Sequence, residues 1–192
     1  LMNRFAALLD RLAYEPRRNA KIRLVTDYFA LTPDPDRGWA LAAMTGALSF
    51  VHAKPGLVRA LIAERTDPVL FRLSRDYVGD LSETVALMWP AAPAEAPHVP
   101  SLAELVEELH GTSKVELSRL LAEWLDALDE VGRWALLKLI TGELRIGVSA
   151  RLAKTAVASL GDVAPDAVEH VWHGLEPPYE SLFAWVEGRG PQ

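Results

Sequence analysis

The chain contains no cysteine. Disulfides, thiolate nucleophiles and cysteine-ligated zinc are therefore excluded. No apolar run is long enough to cross a bilayer. Leu1 to Leu12 mixes charged and apolar residues at helical spacing, unlike the uninterrupted apolar stretch of a signal peptide. Together these absences predict a cytoplasmic protein with no membrane partner. Strand-like alternation is nowhere sustained, and no repeat of fixed period occurs. The phosphate-cradling signatures Gly-x-x-x-x-Gly-Lys-Ser/Thr and Gly-x-Gly-x-x-Gly are also missing. His170 and His173 lie three apart beside Glu169, but they do not form His-Glu-x-x-His and no third ligand is evident. They are read as surface or helix-end histidines, and no metal site is assigned.

What is present is an ordinary globular composition. Of 192 residues, 50% are hydrophobic and 24% charged, enough for one large domain or two small ones. Six tryptophans imply a substantial core or large buried contacts. The formal net charge is -6. Residues 1–100 carry 12 Lys and Arg against 11 Asp and Glu, whereas residues 101–192 carry 8 against 15. A dedicated nucleic-acid binder is more often basic. Within Lys138–Lys154, however, Lys138, Arg145, Arg151 and Lys154 face a single acid, Glu143.

Apolar residues recur at helical spacing throughout. Phe5, Leu8, Leu9 and Leu12 form one stripe, and Leu102, Leu105, Val106 and Leu109 another. Leu117, Leu120, Leu121, Trp124, Leu128 and Val131 predict one long amphipathic helix. Further stripes are Leu152, Ala156, Val157 and Leu160, then Tyr179, Leu182, Phe183 and Val186. Ser101 with Glu104 and Ser113 with Glu116 have capping-box spacing, and Asp80 with Glu83 is a weaker version. Asp34-Pro35 and Asp67-Pro68 fit an acidic N-cap followed by a first-turn proline. The predicted fold is all-α, a compact multi-helix domain over 1–188. Two helical halves, 1–89 and 101–188, are joined by the proline-rich connector 90–100 and packed together. Trp89, Trp124 and Trp134 are candidates for that packing. Residues 189–192 are read as an exit linker, with the chain a piece of a longer protein.

The most informative stretch is Lys138-Leu-Ile-Thr-Gly-Glu-Leu-Arg-Ile-Gly-Val-Ser149. Gly142 is expected to end one helix, Arg145 lies between two glycines, and Ser149 opens the next helix. Such a corner presents an arginine and backbone N–H groups to a phosphate, although a plain connector has the same punctuation. Gly147 allows close backbone approach. Arg151 adds charge, and Lys154 is expected to extend the same track. Thr112, Ser113 and Lys114 offer a second capped turn. Arg17, Arg18, Lys21 and Arg23 form another basic cluster, either ordinary surface charge or part of the track. Asp126 and the pairs Glu107/Glu108 and Asp129/Glu130 are read as a solvated face.

The run Gly142-Glu-Leu-Arg-Ile-Gly-Val148 closely resembles a signature in the N-terminal DNA-binding domain of bacterial ATP-dependent DNA ligases. Asp36-Arg-Gly-Trp-Ala-Leu-Ala-Ala-Met-Thr-Gly46 is similar to a family segment in which a helix entered through a tryptophan ends at a glycine. Lys54-Pro55, Asp67-Pro-Val-Leu-Phe71, Tyr77-Val-Gly-Asp-Leu-Ser-Glu-Thr-Val-Ala-Leu-Met-Trp-Pro90 and Gly111-Thr-Ser-Lys114 resemble further blocks, in the family's order. The resemblance implies an all-helical module preceding a nucleotidyltransferase domain and an oligonucleotide-binding domain. Such a module presses on the minor-groove side of nicked duplex DNA and helps the enzyme close around the break. It holds phosphates without reading bases. DNA repair, replication and recombination are the implied settings, and a monomer the implied state. The partners implied are duplex or nicked DNA and the nucleotidyltransferase domain of the same parent chain, which would use ATP and Mg2+.

The chemistry departs from the family. The ligase nucleophile is the lysine of Lys-x-Asp-Gly, and none of Lys21, Lys54, Lys114, Lys138 or Lys154 is followed by that pattern. The chain is therefore expected to neither adenylate itself nor seal a nick, and to need no cofactor of its own. A helical protein-interaction domain is the alternative, motivated by the charge and the tryptophans. An independent helical enzyme using histidines and carboxylates is a third reading.

Overall fold

The computed structural model describes residues 2–50, 53–91, 98–141, 144 and 147–189. Among these the secondary structure is helical, with no strand. The helices are α1 (Met2–Tyr14), α2 (Arg18–Leu31), α3 (Asp36–Met44), α4 (Pro55–Ala63), α5 (Pro68–Val78) and α6 (Leu81–Met88). There follow α7 (Leu102–Gly111), α8 (Lys114–Ala127), α9 (Glu130–Thr141), α10 (Ala150–Ala158), α11 (Pro165–Val171) and α12 (Glu180–Val186). The all-α expectation holds. None of these helices is long and apolar enough to cross a membrane.

The helices fall into two compact units. Unit 1 comprises Leu1–Ala7 and Ser49–Glu143, and unit 2 comprises Leu8–Leu48 and Leu144–Gln192, so the division falls inside α1. This differs from the expected halves 1–89 and 101–188. The chain on both sides of the proline-rich connector belongs to unit 1, because α6 before it lies against α9 after it. Trp89 Nε1 donates to Asp126 Oδ1 at 2.8 Å across the same gap, so Asp126 is not simply a solvated carboxylate. Prolines interrupt a helix but not the packing on either side.

In unit 1 the helix starts follow the sequence closely. Ser101 Oγ accepts from the Glu104 N–H and Glu104 Oε2 from the Ser101 N–H, a complete capping box. Ser113 and Asp80 each accept from the N–H three residues on, and Asp67 from Val69 and Leu70. Gly79 closes α5 at φ +80, a left-handed position that favours glycine. The Leu102, Leu105, Val106 and Leu109 stripe is buried. The single long helix through Leu117–Val131 is not formed. It breaks at Leu128, which is extended, and the Asp129 carboxylate caps the Gly132 N–H at 2.8 Å. Arg133 Nε then donates back to the Leu125 carbonyl at 2.7 Å, closing the corner. On α5, Val69, Leu70, Leu73 and Tyr77 are all exposed, and no residue of that helix is buried.

In unit 2, α10 lies against α2, α3, α11 and α12. Phe29 and Phe183 meet edge-on with ring centroids 5.3 Å apart. Arg37 is buried beside them, its guanidinium 4.2 Å from the Phe183 ring centre. It donates to Asp34 at 2.9 and 3.2 Å, to Glu187 at 2.6 Å and to the Phe29 carbonyl at 3.1 Å. Asp34 therefore does not cap α3 as expected, since its carboxylate is engaged by Arg37 and no side chain caps that helix. Gly38 is required: a Cβ there would stand 1.5 Å from the Pro178 carbonyl oxygen. Arg189, assigned to the exit linker, is held by Glu187 at 2.6 Å.

Candidate nucleic-acid interface

The site is assembled in unit 2 where α2 and α10 begin. Ser149 is the N-cap of α10, its Oγ accepting from the Leu152 N–H at 3.0 Å. The hydroxyl takes one of the free amides of the first turn, and the remaining ones keep the partial positive charge of a helix start. Gly147, two residues earlier, is exposed and has φ +69. Lys21 Nζ donates to its carbonyl at 3.0 Å. A Cβ at Gly147 would stand 2.5 Å from that ammonium and displace the flexible end of Lys21, while the positive φ is what favours glycine there.

That bond brings the basic start of α2 to the turn that enters α10. Thr26 secures the same pair of helices, its hydroxyl lying 2.7 Å from the Ile22 carbonyl and 3.2 Å from that of Ala156. Arg18 and Lys21 are three apart on α2, which puts them on one helix face, and Arg17 precedes them as the extended N-cap residue, while Val25, Tyr28 and Phe29 are buried. Arg18 has no partner among the described residues. Arg17 Nε pairs with Glu15 at 3.0 Å, and that hydrogen bond holds the Glu15 carboxyl below its ordinary range.

The sequence-derived candidates divide four ways. Gly147 and Arg151 stand at the entry to α10, and Arg151 is exposed with Asp166 at 3.9 Å. Lys154 does not project outward as expected. Its side chain is 13% exposed, 3.1 Å from Glu169 and 4.6 Å from the centre of the Trp172 ring. It clamps α10 to α11 and the turn after it. In unit 1, Thr112, Ser113 and Lys114 open α8: Ser113 is engaged as the cap, Thr112 lies 3.5 Å from Glu108, and Lys114 is exposed. Lys138, from the same basic run, is engaged by Asp80 at 2.5 Å. Burial alone would raise the Asp80 carboxyl, but the Lys138 bond and the Glu83 N–H hold it low. Gly142 and Arg145 lie outside the described residues.

Sequence reasoning left Lys21 open between ordinary surface charge and part of the track, and did not foresee its bond to Gly147. The available signal was the three- and four-residue spacing of Arg17, Arg18 and Lys21, but their neighbour at Gly147 is 126 residues away. No group of three or more His, Asp or Glu among the described residues could hold a metal ion. No family model matches the chain, and no curated protein matches it.

Proposed function

We propose that the chain is a DNA-binding module of the ATP-dependent DNA ligase type, holding nicked duplex DNA through its phosphates and independently of sequence. The observation that carries this reading is the Lys21–Gly147 bond, which gathers Arg17, Arg18 and Lys21 beside the amide-rich start of α10 and Arg151. Lysine and arginine supply charge to phosphate oxygens, and a helix start supplies directed N–H groups. Neither reads a base. The ordered sequence blocks, Gly142-Glu-Leu-Arg-Ile-Gly-Val148 among them, support the choice of family. ATP, Mg2+ and the nucleophilic lysine belong to the rest of the parent protein, and this chain performs no ligation itself. Repair, replication or recombination of nicked DNA is the setting.

Fluorescence anisotropy with nicked and intact duplexes of unrelated sequence, at stepped salt, tests the proposal. Both bind at low salt with no base preference. Lys21→Ala and Arg145→Ala each weaken all duplexes by a similar factor and lower the salt slope by about one unit. A folded chain that binds neither duplex at low salt overturns it.

The exposed apolar face of α5 favours a second reading, a helical protein-interaction domain. That reading expects binding to a separately expressed nucleotidyltransferase domain and none to DNA.

A further inference from the structure

A groove of about 530 Å³ runs between the end of α1 and α2, wholly within unit 2. Arg11, Arg23, Asp10 and Asp27 stand on its walls, and none of the four has a partner among the described residues. At one end the groove meets a second hollow of about 380 Å³, which reaches Lys21 and Gly147. Tyr14 lines both, and it is 85% exposed. An aromatic ring thus stands at the junction between two free arginines and the lysine of the proposed phosphate track.

The lining selects among ligands. A duplex offers this surface mainly phosphates, which Asp10 and Asp27 repel. An unpaired strand offers phosphates to Arg11 and Arg23, base N–H groups to the two carboxylates, and a base face to the tyrosine ring. The lining balances Arg11, Arg17 and Arg23 against Asp10, Glu15 and Asp27, with Arg17 paired to Glu15, so the stacking ring and the two free arginines carry the site; every base has a face to stack. The geometry points to this groove as a binding site for an unpaired nucleic-acid strand beside the duplex track, with Tyr14 as the stacking platform. The inference rests on the reading of unit 2 as a nucleic-acid module, and it adds a second class of ligand centred on Tyr14, Arg11 and Arg23, next to the residues of the duplex track.

The test titrates the full chain with a fluorescent single-stranded oligodeoxycytidine and, separately, with intact duplex. The single strand binds, Tyr14→Ala weakens it about tenfold, and Tyr14→Phe preserves it. The double variant Arg11→Ala/Arg23→Ala also weakens the single strand and lowers its salt dependence. All these side chains are exposed, so the variants fold, and duplex affinity changes little in Tyr14→Ala. A single strand that fails to bind, or that binds Tyr14→Ala as well as the parent, overturns the inference. Duplex binding without single-strand binding removes this site and leaves the proposed function intact. Single-strand binding without duplex binding does the reverse, and failure of both removes both.

Discussion

Unit 1 holds ten Lys and Arg against fifteen Asp and Glu, whereas unit 2 holds ten against eleven. The acidity of the chain therefore belongs almost entirely to unit 1, and the cations are equal in number but differently grouped. In unit 1, Lys138 is matched by Asp80 and Arg119 by Glu116 and Glu123. Its unpartnered cations, such as Lys54, Arg72 and Lys114, are spread over separate helices. In unit 2, Arg37 and Lys154 are consumed by internal clamps, while Arg11, Arg18 and Arg23 stand free on the last turn of α1 and the first turns of α2. Formal charge over a whole chain thus says little about where an anion can bind. Grouping decides it, and grouping is a property of the fold. The apolar surface is distributed the other way, with a four-residue stripe on α5 of unit 1.

The contrast can be broken most forcefully through the packing. Phe183→Ala removes a fully buried ring from Phe29 and Arg37 and should cost about 3–5 kcal/mol in urea unfolding. Leu73→Ser on α5 should change stability by no more than about 0.5 kcal/mol. Equal losses would show that the α5 stripe is covered after all.

A smaller effect appears with pH. The Arg37 hydrogen bond, assisted by Arg189 and opposed by partial burial, pushes the Glu187 carboxyl from its ordinary 4.5 down to about 2. Folding therefore favours the ionised form. The contribution is complete above about pH 4.5 and disappears as pH falls toward 2. Its size is on the order of 2 kcal/mol after allowing for solvent around the pair. Urea unfolding across this window should show the loss, and Arg37→Met should flatten it. An unchanged slope in that variant would assign the pH dependence to other carboxylates.

The smallest effect separates the two lysines flanking the α10 turn. Lys154→Ala loses the Glu169 bond and the Trp172 contact and should cost about 1 kcal/mol in thermal unfolding. It should leave the salt slope of duplex binding unchanged, where Lys21→Ala lowers it. Identical slopes in the two variants would erase the distinction between clamp and contact.

The local grammar of the fold was legible in the sequence. Ser101 with Glu104 specifies a helix start because both partners of the exchange lie within one turn, and the Phe5-to-Leu12 stripe is buried as its spacing predicts. The break at Leu128 was not legible, because apolar residues on both sides keep helical spacing while Asp129 and Arg133 make the corner. The compact units do not divide at 90–100, because prolines there report on the backbone and not on the pairing of α6 with α9. At the candidate site, the spacing around Ser149 placed Gly147 and Arg151 at the entry to α10, where they lie. The burial of Lys154 was not legible, since it depends on Glu169 and Trp172, beyond the reach of a local pattern.

Lys21 gives one of its three ammonium N–H groups to Gly147 and keeps two. A free lysine on a surface samples many rotamers, and ordering it on binding costs up to about 2 kcal/mol. Here the folded chain offers that side chain one carbonyl partner, which narrows the freedom it has left to lose. An arriving anion meets a cation whose position is partly set before contact, so less of its attraction is offset by the loss of that freedom. The carbonyl also draws the ammonium close to the backbone and shortens its reach.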